Sequence, residues 1–224
     1  MKDNRKAINV IATALALIAA VVATVTFSIG LPIYFRPFYY MQIEPLGIEE
    51  ATGYDKETVI EGYDEVLDYL TRPGGQFSAG VFKFSEDGAG HFADCKGLFT
   101  LNAWGYIIAL AVLAAVILLA RLGKVKLCSP LGFSVFGWAG AATLTVFAAL
   151  ASLAALDFDR AFVIFHSIFF PGKDNWRFDW RRDEIILAMP EEFFMNCAIL
   201  IASSVIIISS VLIVCSVLRR NKER

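Results

Sequence analysis

The chain is poor in the residues that carry most catalytic and metal chemistry. It holds two histidines, His91 and His166, in 224 residues. Its four cysteines, Cys95, Cys128, Cys197 and Cys215, lie far apart. No Cys-x-x-Cys pair exists, which excludes a zinc ribbon and a thioredoxin-like site. No serine stands in a Gly-x-Ser-x-Gly pattern, so a nucleophile-elbow hydrolase is not expected. Charge is scarce as well. Charged residues make up 19% and hydrophobic residues 57% of the chain, against about 25% and about 45–50% in soluble domains. The formal net charge of -2 argues against a nucleic-acid partner. No internal repeat is visible.

What is present in excess is apolar sequence, gathered in four runs: 7–29, 103–122, 132–156 and 193–218. Each is long enough to cross a bilayer as a helix, which needs roughly 20 apolar residues. None carries a charge in its interior, so none reads as an ion or proton path. The first run is too long for a signal-peptide h-region, typically about 7–15 residues, and is read as an uncleaved anchor. Gly132, Gly137, Gly140 and several alanines in the third run suit close helix packing in a membrane.

Lysine and arginine set the direction of insertion. Lys2, Arg5 and Lys6 precede the first run; Arg121, Lys124 and Lys126 fall in the connection over 123–131 or at its edge; Arg219, Arg220, Lys222 and Arg224 fill the tail at 219–224. Only Asp3 and Glu223 accompany them. These three segments are therefore expected on the cytoplasmic side. The segments 30–102 and 157–192 hold nearly all the acids and are expected on the outer side of the plasma membrane. The first is too long for a structureless loop and is read as a small cap of mixed structure. Within it the sequence predicts a helix from Asp55 to Leu70, because Val59, Tyr63, Val66, Leu67 and Leu70 recur at helical spacing. Gly80–Phe84 reads as a short strand or extended piece, and 84–96 as a lead-in loop carrying His91. The third spanning helix is expected to run on past the interface to Pro171, with His166 on an aromatic face shared with Phe162 and Phe169.

Both histidines thus fall outside the membrane, on one side and near one depth. Histidine suits general acid–base work because its free pKa, about 6.5, sits near the working pH. Two unrelated interfacial histidines remain the bland alternative. With Asp94 or Asp183 they form a zinc-type donor set, but no short His-x-x-x-His spacing supports a metal, and none is expected. Cys95, four residues after His91, is a conceivable nucleophile, with Cys197 its one plausible disulfide mate. The eight aromatics from Phe158 to Trp180 are mostly phenylalanine, which suits an acyl-chain pocket better than an interfacial belt. Asp94, Lys96, Asp183 and Arg182 read as ordinary ion pairs.

Three features together resemble the Lit family of bacterial lipoprotein intramolecular transacylases. The first is Phe84-Ser-Glu followed by His91-x-x-Asp94-x-Lys96 before the second span. The second is Phe165-His166-Ser-Ile-Phe169-Phe170-Pro, then Trp176-x-Phe178, Asp183 and Pro190-Glu-x-Phe193. The third is the layout of four spans with a long first and a shorter second outer segment. Phe92, Cys95 and Gly88 depart from the family pattern, and Gly88 is expected to loosen the loop presenting His91. The resemblance implies an all-α membrane protein and an acyltransferase. Its reaction moves the sn-2 acyl chain of a diacylglyceryl-lipoprotein to the α-amino group of the N-terminal cysteine, leaving a lyso-form lipoprotein.

The resemblance also implies that His91 and His166 are catalytic. Phe92, Phe165, Phe169, Phe170, Trp176 and Phe178 would meet the substrate; Asp94, Lys96 and Asp183 would support the site. No cofactor is implied, and the partners are the lipoprotein and the bilayer. Two alternatives stay open: a membrane interaction or assembly protein with an outer docking cap, and an acyltransferase or hydrolase acting on free phospholipid.

Overall fold

A computed structural model describes residues 2–222, so Glu223 and Arg224 of the predicted tail lie outside the described residues. Among the described residues nine α-helices follow one another: α1 Lys2–Tyr34, α2 Pro37–Tyr40, α3 Ile48–Thr52, α4 Lys56–Thr71, α5 Glu86–Arg121, α6 Val135–Leu156, α7 Phe158–Phe169, α8 Ile185–Ala188 and α9 Glu191–Lys222. No strand occurs among the described residues. Helices α1, α5, α6 and α9 are long and apolar enough to cross a membrane. They overlap the four apolar runs and mostly extend beyond them. The chain divides into two compact units.

The first unit comprises Met1–Ile29, Asn102–Ser152 and Ile201–Arg224. Its helices carry large apolar side chains outward, Ile11, Leu118 and Ile207 among them, and bury small ones. That inversion is expected where lipid tails, not water, lie outside. Ala12 and Ala16 of α1 pack with Val116 of α5 and with Val125 and Val135. A Cβ at Gly140 of α6 would stand 2.7 Å from the Ser209 carbonyl oxygen of α9, and one at Gly137 would stand 2.5 Å from the Ser216 side chain. The two helix backbones therefore meet across glycine. Polar side chains close the remaining gaps. Asn102 Nδ2 donates to the Thr26 carbonyl at 3.1 Å. The Ser28 hydroxyl donates to the Thr24 carbonyl and lies 3.1 Å from the Ser204 hydroxyl. The Lys126 and Cys128 backbone N–H groups donate to Asn9 Oδ1 and Thr13 Oγ1 at 2.8 and 2.9 Å, which fastens the connection after α5 to α1.

The second unit comprises Gly30–Leu101 and Leu153–Leu200. Its core forms around α4, where Val59, Tyr63, Val66, Leu67 and Leu70 are all buried, the face expected from their spacing. Asp55 caps the helix, accepting from the Thr58 N–H at 2.9 Å. Tyr63 stacks on Tyr39 at 3.6 Å between centroids, and Phe193 meets both rings edge-on. The buried Tyr39 hydroxyl donates to the Ala188 carbonyl at 2.7 Å, so this core carries no orphan phenol there. Arg36 bridges Asp64 and Asp68 on the rim of α4.

Three local expectations are overturned. Of the short strand or extended piece expected at Gly80–Phe84, no strand forms, and the regular elements of the cap are helices. Gly80 turns with φ +59°, its N–H donates to Glu65 Oε2 at 2.9 Å, and Phe82 buries itself over Gly62 of α4. A side-chain acceptor and a packing site thus replace a partner strand. The third spanning helix does not run on to Pro171. It stops at Leu156, and Asp157 leaves helical conformation (φ −160°, ψ 93°) to cap α7, accepting from the Arg160 N–H at 2.9 Å. His91 does not stand in a loop. Helix α5 already begins at Glu86, and the Ser85 hydroxyl accepts from the Gly88 N–H at 3.0 Å as its cap.

Candidate active site

His91 projects from the second turn of α5 and His166 from the last turn of α7, both within the second unit. Their ring centroids are 5.6 Å apart at 33°. Each residue is only 6% exposed. The sequence neighbours that bring them in are specific. α7 presents Phe162 one turn before His166, with its ring 4.2 Å away, and the Phe162 carbonyl lies 2.7 Å from His166 Nδ1. A carbonyl only accepts, so Nδ1 carries the proton and Nε2 keeps its lone pair.

Aromatic side chains wall in the pair. Trp176 stacks on His166 at 4.5 Å and 26°. The buried Phe170 presents an edge to His91 at 4.9 Å, and Phe178 does so at 5.6 Å. Phe92 lies beside Phe178 and stacks on Phe77 at 4.6 Å. Phe165 touches His166 edge-on, although nearly half of it is exposed. Phe169 packs on Phe165, on the exposed side of α7, and makes no ring contact with either histidine. Of the six aromatics expected at the site, five therefore contact a histidine directly, since Phe92 also lies 6.2 Å from His91. Phe162, expected on the face it shares with His166, also belongs to this wall, and so does Phe77. The i−4 spacing to His166 marks Phe162 in the sequence; nothing local marks Phe77.

The supporting residues divide. Asp94 on α5 accepts from Lys173 Nζ at 2.5 Å and from Asn175 Nδ2 at 3.2 Å. It thereby ties the loop that carries Trp176 to the helix that carries His91. Burial raises its carboxyl pKa, and the Lys173 and Asn175 contacts outweigh that to hold it below the usual value. Asp183 is buried and accepts from the Ser85 N–H at 2.7 Å, fixing the start of α5. Lys96 serves elsewhere: its ammonium sits 4.0 Å over the Tyr69 ring and donates to the Gly74 carbonyl. Asn175 was not anticipated. Its Oδ1 is buried with no hydrogen-bond partner among the described residues. Cys95 and Cys197 both carry free thiols, so the disulfide considered between them does not form.

Gly88 has a different role from the loosening expected of it. It sits in the first turn of α5, where a Cβ would overlap the Asp183 carboxylate and lie 3.1 Å from the Phe178 ring. Glycine is what allows α5 to approach Asp183. Gly88→Ala is expected to destabilise the fold by about 1–3 kcal/mol, the usual range for overpacking. A thermal melt in detergent checks this, and an unchanged melting temperature would contradict the close approach.

Burial pushes His91 down to about 4, with the facing His166 ring and Lys173 acting in the same direction and Asp94 opposing. Burial also lowers His166, and the Phe162 carbonyl draws it part of the way back. Both rings are thus neutral near neutral pH. The linkage has a definite sign. An unfolded histidine takes up a proton as pH falls through its ordinary 6.5, whereas folded His91 does so only near 4. Stability is therefore complete above that ordinary value and is lost as pH falls towards the folded one. Melting temperatures should be lower at about pH 5 than at about pH 7, and His91→Phe should narrow the gap. A gap unaltered in His91→Phe would assign the loss to other groups.

A pair of neutral, buried imidazoles, one with a free lone pair, inside an aromatic wall can move protons on a substrate with an apolar chain. Comparison with known proteins bears on what that substrate is. The Lit family model, described as lipoprotein intramolecular transacylase Lit, matches residues 14–194. Among solved structures, the membrane-integral lipoprotein intramolecular transacylase Lit from Bacillus cereus superimposes with a TM-score of 0.86 at 23% identity, covering 98% of this chain and 99% of that one. Two forms of that protein with one histidine replaced, by arginine or by alanine, each give 0.79 at 22% identity. They cover 98% of this chain and 95% or 96% of theirs. Comparison with curated proteins gives no match. With a family model spanning most of its length and a four-span helical fold shared with a solved member, the chain belongs to the Lit family of lipoprotein intramolecular transacylases.

Proposed function

We propose that this protein moves the sn-2 acyl chain of a diacylglyceryl-lipoprotein to the α-amino group of its N-terminal cysteine, with His91 and His166 as the catalytic groups. The observation that carries the reading is the pair of buried imidazoles 5.6 Å apart, one of them with its Nδ1–H committed to the Phe162 carbonyl.

The chemistry follows from atom balance. The amine nitrogen attacks the ester carbonyl carbon, a C–N bond forms, and the bond from that carbon to the glyceryl sn-2 oxygen breaks. One proton must leave nitrogen and one must reach the glyceryl oxygen. His166 Nε2 takes the proton from nitrogen, because its lone pair is free and its ring is fixed on a helix. His166 then delivers that proton to the departing glyceryl oxygen, while neutral His91 donates a hydrogen bond that steadies the charge on the carbonyl oxygen. No enzyme nucleophile is required, since the amine and the ester belong to one molecule. What the protein contributes is pose: well-oriented intramolecular attack reaches effective molarities of roughly 10⁵–10⁸ M. The wall of Phe170, Trp176 and Phe178 keeps water from the ester and suits an acyl chain, while Asp94 and Asp183 hold the site's loop and helix in register.

The substrate is anchored in the outer leaflet, so the segments 30–102 and 157–192 belong on the outer side, with both termini in the cytoplasm. The distribution of Lys and Arg supports this direction. Lys56→Cys in whole cells should react with a membrane-impermeant thiol reagent, and its protection would reverse the orientation. Mass spectrometry of lipids and lipoproteins from cells with and without the protein separates the competing activities. Changed lipoprotein N-termini with unchanged phospholipids are expected. Changed phospholipids with unchanged lipoproteins would favour an enzyme of free lipid.

A further inference from the structure

Cys95 stands one helical turn after His91 on α5, and its sulfur lies 3.4 Å from His91 Nε2. A thiol and a neutral imidazole at this spacing share a hydrogen bond in one of two senses. Either S–H donates to Nε2, or Nε2–H donates to sulfur. The senses are unequal. Thiol sulfur is a weak acceptor, a pyridine-type ring nitrogen is a good one, and a thiol proton is much more acidic than the N–H of a neutral imidazole. Donation by the thiol is therefore preferred, and the ring proton of His91 then resides on Nδ1.

That nitrogen is the conspicuous one. His91 is 94% buried by its 6% exposure, and its Nδ1 has no hydrogen-bond partner among the described residues. Its ring neighbours are Phe92, Phe170 and Phe178, which offer no strong acceptor, and His166, whose Nδ1 is committed to the Phe162 carbonyl. A buried donor left without a partner is costly and calls for an explanation.

We propose that Cys95 is a positioning residue for His91: its thiol donates to Nε2, holds the ring proton on Nδ1, and makes Nδ1–H the donor to a substrate oxygen on which charge grows. The identity of that oxygen, the ester carbonyl oxygen, rests on the transacylase reading; the tautomer does not. The two histidines then present opposite faces of the same chemistry. His166 has Nδ1–H engaged and a free Nε2 lone pair. His91 has Nε2 engaged and a free Nδ1–H. His166 takes the amine proton and delivers it to the glyceryl oxygen, so His91 gains and loses none. A thiolate–imidazolium pair would instead make Cys95 a nucleophile. Burial opposes that pair, pushing the thiol up to about 12 and His91 down to about 4, so the proton stays on sulfur. The charged and titratable groups acting on His91 are His166 on α7, Asp94 on its own helix and Lys173 in the following loop.

Nuclear magnetic resonance tests the tautomer directly. The chain has two histidines, so ¹⁵N-histidine labelling of the full protein in detergent yields two rings, which a His166→Ala spectrum assigns. Long-range ¹H–¹⁵N correlations should place the His91 proton on Nδ1 in the natural protein. Cys95→Val, which removes the donor, should shift His91 towards a mixture of tautomers. Cys95→Ser, which retains an O–H donor, should keep Nδ1–H. In parallel, Cys95→Val should lower kcat about five- to tenfold with KM little changed, the size of one lost hydrogen bond. Cys95→Ser should retain most of the rate. A proton on Nε2 in the natural protein, or a tautomer unchanged in Cys95→Val, would overturn the proposal. If the tautomers behave as expected while His91→Ala still transfers acyl chains normally, it is the catalytic role of His91 that fails, and the positioning of its ring stands.

Discussion

His166→Ala and His91→Ala should each lower acyl transfer by at least about a hundredfold, the lower end of what general acid–base catalysis and oxyanion stabilisation contribute. The amine cannot attack as an ammonium, and the glyceryl oxygen leaves poorly as an alkoxide, so His166 must meet both proton tasks, with His91 steadying the carbonyl oxygen, inside a pocket that excludes water. The double variant should be little worse than either single one, because groups that serve one transition state do not add. Both rings are buried, so truncation also leaves a cavity, and the amount of folded protein must be measured alongside. His166→Gln, closer in volume, provides the second arm: it should fold well and still lose the rate. Near-normal transfer by a well-folded single variant would remove that histidine from the mechanism.

Trp176→Ala should be the next most damaging change, lowering activity per folded molecule by about tenfold. Trp176 stacks on His166 at 4.5 Å, and its Nε1 donates to the Lys173 carbonyl at 3.1 Å. It thus links the ring of the base to the loop that Asp94 holds. An aromatic contact of this kind is worth about 0.5–1.5 kcal/mol beyond its area, and tenfold in rate corresponds to about 1.4 kcal/mol. Trp176→Phe should recover much of the loss, since it keeps a ring over the imidazole. Activity that falls only in proportion to folded protein would assign Trp176 to packing alone.

Much of this architecture is written in residue spacing. The four apolar runs mark the four long helices, and the pattern Val59, Tyr63, Val66, Leu67, Leu70 marks the buried face of α4. The pairing of His91 with His166 was suggested by their scarcity and common side of the membrane, and their rings do meet. Other features turn on caps and close approaches, which period alone does not expose. Ser85-Glu-Asp is a helix start that precedes the apolar run by more than a dozen residues, so hydropathy alone starts α5 too late and leaves His91 in a loop. Asp157 stands between the apolar run and the aromatic stripe that begins at Phe158, where helical spacing continues unbroken, yet its carboxylate caps a new helix. Gly88 looked like slack because its partners, Asp183 and Phe178, are about ninety positions away. The bond between Cys95 and His91 is legible as i,i+4 spacing, but the orphaned Nδ1 that gives it meaning appears only in three dimensions.

The most direct test is the acylation state of one lipoprotein N-terminus. Expressed in a bacterial host that lacks N-acylation of lipoproteins, the protein should convert a diacylglyceryl cysteine with a free amine into the lyso form. Mass analysis of the N-terminal peptide should then find one acyl chain as an amide and one remaining on glycerol, with total mass unchanged. Fragmentation distinguishes that isomer from the starting material. Fragments that still carry both chains on glycerol and a free α-amine, with well-expressed protein in the membrane, would contradict the account.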